Sequence, residues 1–96
     1  MEFEAELWEY DGPGAWCFVT VPEDVSEDLR YGPGPPKGFG SIRVGVTVGG
    51  SVWRTSVFPD NASAGYVLPI KKAVRRAEGI EVGDTVEVSL EVVIDE

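Results

Sequence analysis

The chain has 96 residues, 43% of them apolar, and a net charge of −9 at pH 7. A single domain of this length buries roughly 60–70% of its extended surface, and its acidic field repels nucleic acid and anionic membranes. One cysteine excludes an internal disulfide, and the lack of histidine excludes His-dependent triads and His-ligated metals. No apolar run reaches the ~18 residues of a membrane helix.

Residues 2–10 alternate, with Phe3, Ala5 and Leu7 on one face and Glu2, Glu4 and Glu6 on the other, the pattern of a half-buried strand. Asp11-Gly12-Pro13-Gly14 reads as a turn. Ala15 to Val21 reads as a second strand, with Trp16 and Phe18 on one side and Cys17 and Val19 on the other. Both sides are apolar, so this strand is expected to run through the middle of the fold, with Trp16 in the core.

Pro22 is expected to start a short helix, where its missing N–H costs nothing. Glu23 and Asp24 favour the positive helix end, and Val25 and Leu29 form the only apolar stripe. Tyr31 to Gly40 has seven Gly or Pro in ten positions and reads as a loop. Its Pro33-Gly34-Pro35-Pro36 has a minimal PxxP spacing, best taken as part of that loop.

Ser41 to Phe58 is the clearest hairpin. A two-residue Gly49-Gly50 turn sets Val46 opposite Trp53, Val44 opposite Thr55 and Ile42 opposite Val57. Those residues share an apolar face, and Arg43, Gly45, Thr47, Val52, Arg54 and Ser56 share the other, so turn and pattern agree. Phe58-Pro59-Asp60 is expected to end the hairpin, followed by a polar loop, 61–64. Its Asn61-Ala62-Ser63 fits a glycosylation sequon, but no secretion signal is evident, and the chain is expected to be cytoplasmic.

Gly65 to Leu68 reads as a short strand and Pro69 as the opening of a second helix. Ile70, Ala73, Val74 and Ala77 fall on its inner face and Lys71, Lys72, Arg75 and Arg76 on its outer face. Gly79 is placed as a left-handed cap with Ile80 folding back. After Glu81-Val82-Gly83-Asp84 turns the chain, Val86, Val88, Leu90, Val92 and Ile94 alternate with Glu87, Ser89 and Glu91 in a final strand.

The elements repeat in plan: strand, Val21-Pro22, helix and strand, then strand, Leu68-Pro69, helix and strand. The fold class predicted is mostly β with two short helices, a small closed β-barrel of one domain, 1–96, with an internal pseudo-duplication. A barrel also protects strand edges. One chain then completes its own barrel, so a monomer is expected, with a dimer as the alternative.

Little chemistry is offered. Cys17 reads as a core thiol. Asp24 and Asp28 lie on a solvated helix face, Asp84 caps the Gly83 turn, and the glycines at 32, 34, 38 and 40 do not open a helix as a phosphate loop requires. No catalytic residue, metal site or cofactor is expected, and the chain is read as not an enzyme.

Charge is uneven: residues 1–30 hold nine acids and one base, 31–80 seven bases and two acids, 81–96 six acids and no base. Lys71/Arg75 and Lys72/Arg76 are like-charged i,i+4 pairs, each costing a few tenths of a kcal/mol. They need either acids of this chain, from the first helix or the terminal strands, or an anionic ligand or partner. Arg43 and Arg54 can extend the patch, and Trp16 and Trp53, expected in the core, can instead stack on a ligand at the barrel mouth.

Residues 65–88, with Leu68-Pro69, Gly79-Ile80 and Gly83-Asp84, resemble the half-barrel of the AbrB/SpoVT swapped-hairpin family. Ala15-Trp16, Val21-Pro22, Trp53 to Pro59, Tyr66 to Arg75 and Gly83-Asp84, in that order, resemble the bacterial domain-of-unknown-function family numbered nineteen hundred and five. That resemblance implies a double-split β-barrel related to AbrB and no established activity. The function expected is an accessory or protein-interaction module with a basic patch on its second helix. The alternatives are an AbrB-like nucleic-acid binder and a binder of small anions. The net charge opposes nucleic acid, and Asn61 to Ala64, with no positive charge, stand where the AbrB family places bases; the small-anion binder, or an enzyme using Arg and Lys on an anion, ranks below it because no nucleophile or base is identified.

Overall fold

A computed structural model describes residues 1–31 and 40–93. The elements follow as β1 (Glu2–Glu6), β2 (Trp8–Glu9), β3 (Cys17–Thr20), α1 (Glu23–Tyr31), β4 (Ile42–Val48), β5 (Ser51–Asp60), β6 (Gly65–Pro69), α2 (Lys72–Glu78) and β7 (Thr85–Val92). Every strand pairing is antiparallel, and the strands lie in the order β1-β7-β4-β5-β6-β3-β2. Because β1 and β2 are one run of chain interrupted at Leu7, the two ends of the sheet meet and it curls into a nearly closed barrel. Leu7 is fully buried at the interruption. Its N–H donates to Asp84 O at 2.9 Å and its carbonyl accepts from Gly83 N at 2.8 Å, so the break leaves no orphaned backbone group.

Two units, β1/β2-β3-α1-β4 and β5-β6-α2-β7, make up the barrel. β3 pairs with β6 and β4 with β7, and the first strand of each unit pairs with the last strand of the other. The scheme is unchanged when the units are exchanged. Thr20 and Val67, the residues immediately before Val21-Pro22 and Leu68-Pro69, lie directly opposite each other on the neighbouring strands β3 and β6.

Inside lie Leu7, Val19, Val44, Val57, Leu68 and Leu90, all fully enclosed, with Val46, Val86 and Val88 beside them. Each such side chain contributes about 1.5–3 kcal/mol over its exposed state. The hairpin register is as the turn dictates, with Ile42 opposite Val57, Val44 opposite Thr55 and Val46 opposite Trp53. Alternation in β1 and β7 also holds, with Phe3 and Ala5 half-buried, Val86, Val88 and Leu90 buried, and the intervening glutamates exposed. Ile94 and most of the 31–40 loop, including its PxxP spacing, lie outside the described residues.

The structure corrects several boundaries. Phe58-Pro59-Asp60 does not end the hairpin strand, because β5 continues through it, leaving β4 after Val57 and pairing with β6 from Phe58 to Asp60. Pro59 is tolerated there because pairing with β4 has already ended and no ladder bond on that side is lost. Pro22 precedes α1, its carbonyl accepting the Ser26 N–H at 2.8 Å.

Pro69 does not open the second helix. It is the last residue of β6, opposite Phe18, and the Ile70 N–H donates to Cys17 O at 3.0 Å, so the strand path runs on to Ile70. Proline's fixed φ suits both conformations, and burial of Ile70 in the barrel, at 1% exposure, decides between them. The helix starts at Lys72 and has seven residues, of which only Val74 is buried. Ala73 and Ala77 are exposed, contrary to the expected inner stripe, because so short a helix touches the barrel along one narrow line. Gly79 does cap it at φ 65°, with Ile80 N–H returning to Arg75 O at 2.9 Å. Among the described residues no helix is long and apolar enough to cross a membrane.

Candidate functional site

β1 alternates with odd-numbered residues inward, and the barrel keeps that phase through Leu7. Trp8 and Tyr10 therefore point outward, on the face of the glutamates. On β3, Cys17 and Val19 are buried, which turns Trp16 and Phe18 outward as well. Trp8 lies opposite Phe18, and the Tyr10 N–H donates to Trp16 O at 2.8 Å, so the two strands bring four aromatic rings into one cross-strand block.

The four rings of the block pack closely around one of their number. Phe18 is its hub, 5.2 Å from Trp8, 6.3 Å from Trp16 in a near-parallel stack at 15°, and 6.5 Å from Tyr10 edge-on at 84°. These separations and angles are the favourable ones for aromatic pairs. The Trp8 indole N–H donates to Thr20 Oγ1 at 3.0 Å. The turn between the strands presses on the outer rings: a Cβ at Gly12 would collide with the Tyr10 ring, and one at Gly14, whose φ is +96°, would come within 2.7 Å of Trp16 Cδ1 and Nε1. Glycine at both positions lets backbone lie against ring. Even so, Trp16 stays 56% exposed and Tyr10 50%.

This corrects the placement of Trp16, which is not a core residue. The second apolar side of its strand is covered by other aromatics, not by the barrel interior. The sequence contained the signal, since β1's odd-inward phase carried two residues further puts Trp8 and Tyr10 outside. Trp53 is half-buried and packs against the core, opposite Val46. Cys17, 3% exposed, is a core thiol.

The basic residues divide into two places. Lys72, Arg75 and Arg76 line a shallow depression of about 300 Å³ with Gly79, Ile80 and Glu81. Lys71 sits exposed at the N-cap of α2, outside that lining. Arg75 is half-buried, and its Nε donates to Ile70 O at 3.0 Å, so it ties the helix to the end of β6. Arg54 lines another open hollow, of about 500 Å³, with Gly45, Trp53 and Glu91. Arg43, exposed on β4 opposite Ser56, lines neither of these hollows. The expected extension of the α2 patch by Arg43 and Arg54 is thus not seen in either lining.

Sequence reasoning missed Glu78. Its carboxylate accepts Ser51 Oγ at 2.6 Å and Gly50 N at 3.4 Å, closing α2 over the hairpin turn. The turn at Asp84 is as expected, with Oδ2 accepting Glu81 N at 2.9 Å. Among the described residues no group of three or more acids and thiols is placed to hold a metal ion.

Fold and surface together define a small, mostly β barrel domain with an ordered aromatic block on its outer face. The profile of a family described as a domain of unknown function (DUF1905) matches residues 3–90, and the chain belongs to that family. No curated protein is similar to it.

Proposed function

We propose that the domain is a non-enzymatic protein-interaction module whose contact surface is the outer aromatic block around Trp16 and Tyr10. The observation that supports this reading is their exposure in an ordered setting. Four aromatic rings are fixed against one another and against glycine backbone, yet the two outermost keep about half their surface in water. Aromatic residues held rigid and exposed are what interface centres are built from, because they offer large area at little entropic cost. The test is recovery of a partner on the immobilised domain, compared with Trp16→Ser and Tyr10→Ser. The reading expects the partner to be lost with both variants, and an unchanged recovered set would overturn it.

A second reading is favoured by the depression on α2. Lys72, Arg75 and Arg76 converge there with one acid, Glu81, beside them, which suits a small phosphate or carboxylate. Thermal stabilisation by inorganic phosphate, lost in Arg76→Ala, would support it. An AbrB-like role on nucleic acid is weaker, since the −9 charge opposes it. It requires a gel shift at low salt that fades steeply as salt rises. One chain closes its own barrel, which favours a monomer, with a dimer as the alternative.

A further inference from the structure

We propose that the aromatic block takes an arginine- or lysine-flanked, proline-rich segment of a partner protein in the polyproline II conformation. This rests on the interaction-surface reading above and names its partner by chemistry.

Three observations carry it. The first is shape. Trp16 stacks on Phe18 while Tyr10 stands edge-on to it, so the two half-exposed rings lie in different orientations about Phe18. Rings set at an angle leave slots into which proline rings fit, and a polyproline II segment, already rigid, loses little entropy on docking.

The second is hydrogen bonding. Polyproline II has no internal hydrogen bonds, so its carbonyls need donors. Trp8 has its indole N–H engaged on Thr20, whereas among the described residues the Trp16 indole N–H and the Tyr10 hydroxyl have no such engagement. Both are donors carried by half-exposed rings of the block.

The third is charge. Glu6, exposed, shares the outward phase of Trp8 and Tyr10, and Glu9 and Asp11, both exposed, are the chain neighbours of Tyr10. The first thirty residues hold nine acids against one base, and that base, Arg30, donates to Ala64 O at 3.0 Å and lies 5.9 Å from the Tyr66 ring. A cationic flank is attracted by the acids and by the ring faces. A neutral saccharide gains nothing from this field, and a phosphate backbone is repelled by it.

The probe is a synthetic peptide with two Pro-x-x-Pro repeats and arginines at one end, titrated by tryptophan fluorescence and calorimetry. Binding should saturate below about 1 mM and weaken at least roughly tenfold in Trp16→Ala and in Tyr10→Ala. Asp11→Asn should weaken it a few-fold and flatten its salt dependence. Replacing the peptide's prolines by glycine should also weaken binding, by roughly tenfold, because the chain must then be ordered on docking. Circular dichroism of each variant confirms its fold. Absence of saturation overturns the proposal, and so does equal binding of the glycine peptide. If an acid-flanked peptide saturates instead, in a manner that needs Trp16, the partner chemistry is wrong and the interaction-module reading stands; if cellohexaose does, the protein partner is wrong and both readings fall. Peptide binding that Trp16→Ala leaves intact overturns both.

Discussion

Glu78, the last residue of α2, accepts a hydrogen bond from Ser51 Oγ at 2.6 Å, joining the helix of the second unit to the turn of the first hairpin. Gly50 N donates to the same carboxylate at 3.4 Å. Apart from this contact, a helix of seven residues is held by one buried side chain, Val74, and by the Arg75 Nε bond to Ile70 O. Hydrogen bonds to a charged group contribute about 1.5–3 kcal/mol, less where solvent reaches them, so Glu78→Ala should cost about 1–2 kcal/mol in denaturant unfolding. Ser51→Ala in that background should cost about 1 kcal/mol less than it does alone, the coupling expected of direct partners. Additive losses would show that the contact is incidental.

Gly49 and Gly79 separate two causes of glycine dependence. Both have left-handed backbones, at φ 58° and 65°. A Cβ at Gly79 meets nothing within 4 Å, whereas one at Gly49 collides with the Glu78 carboxylate. Gly79→Ala should therefore cost about 1 kcal/mol of backbone strain alone. Gly49→Ala should cost more, and Glu78→Ala should relieve the excess. Equal costs in the two single variants would contradict the placement of Glu78.

The position of Trp16 predicts a contrast with the core. Leu68 is fully buried, so Leu68→Ala should lose about 2–5 kcal/mol. Trp16→Ala should lose about 1 kcal/mol, the size of its aromatic pairing with Phe18. Melting curves of the two variants check this, and a loss at Trp16 as large as that at Leu68 would return Trp16 to the interior.

Arg75 and Arg76 should behave differently despite adjacency. Arg75 Nε is bonded to Ile70 O, so Arg75→Ala should lower stability by about 1 kcal/mol with or without any anion present. Arg76 is exposed, and Arg76→Ala should leave the melting temperature in plain buffer unchanged. Any stabilisation by inorganic phosphate should disappear in Arg76→Ala, and its persistence would remove the α2 depression as an anion site.

Much of the barrel was legible in the residues. The Gly49-Gly50 turn fixed which hairpin residues face each other, and strict alternation fixed the inner face of β7. The equivalence of Val21-Pro22 and Leu68-Pro69 is visible as soon as Thr20 is found opposite Val67. Legibility ended where a local rule allowed two outcomes. Proline fits a strand end as well as a helix start, and only the tertiary fate of Ile70 chooses between them. Spacing marks Ala73 and Ala77 as a helix face but does not say whether anything lies beneath it.

The surface was less legible for a related reason. An apolar second side on a strand means burial if a layer covers it, and here other aromatics of the same hairpin do the covering. Glu78 was invisible because its partners, Gly50 and Ser51, lie more than twenty-five residues away. The three bases of α2 and Lys71 at its N-cap drew attention as unpaired charge, yet one of them, Arg75, has a structural bond to the backbone.

Contact at Trp16 and Tyr10, as proposed, would be seen at the indole and amide protons of those residues. The most direct measurement is nuclear magnetic resonance of the domain's three tryptophan indole N–H signals, with the arginine-flanked proline-rich peptide and inorganic phosphate titrated separately. The peptide should shift the Trp16 indole and the backbone amides of residues 10–12 and 14–16, while Trp53 and the amides of α2 stay in place. Peptide-induced shifts confined to α2 and Trp53, with Trp16 unmoved, would contradict it.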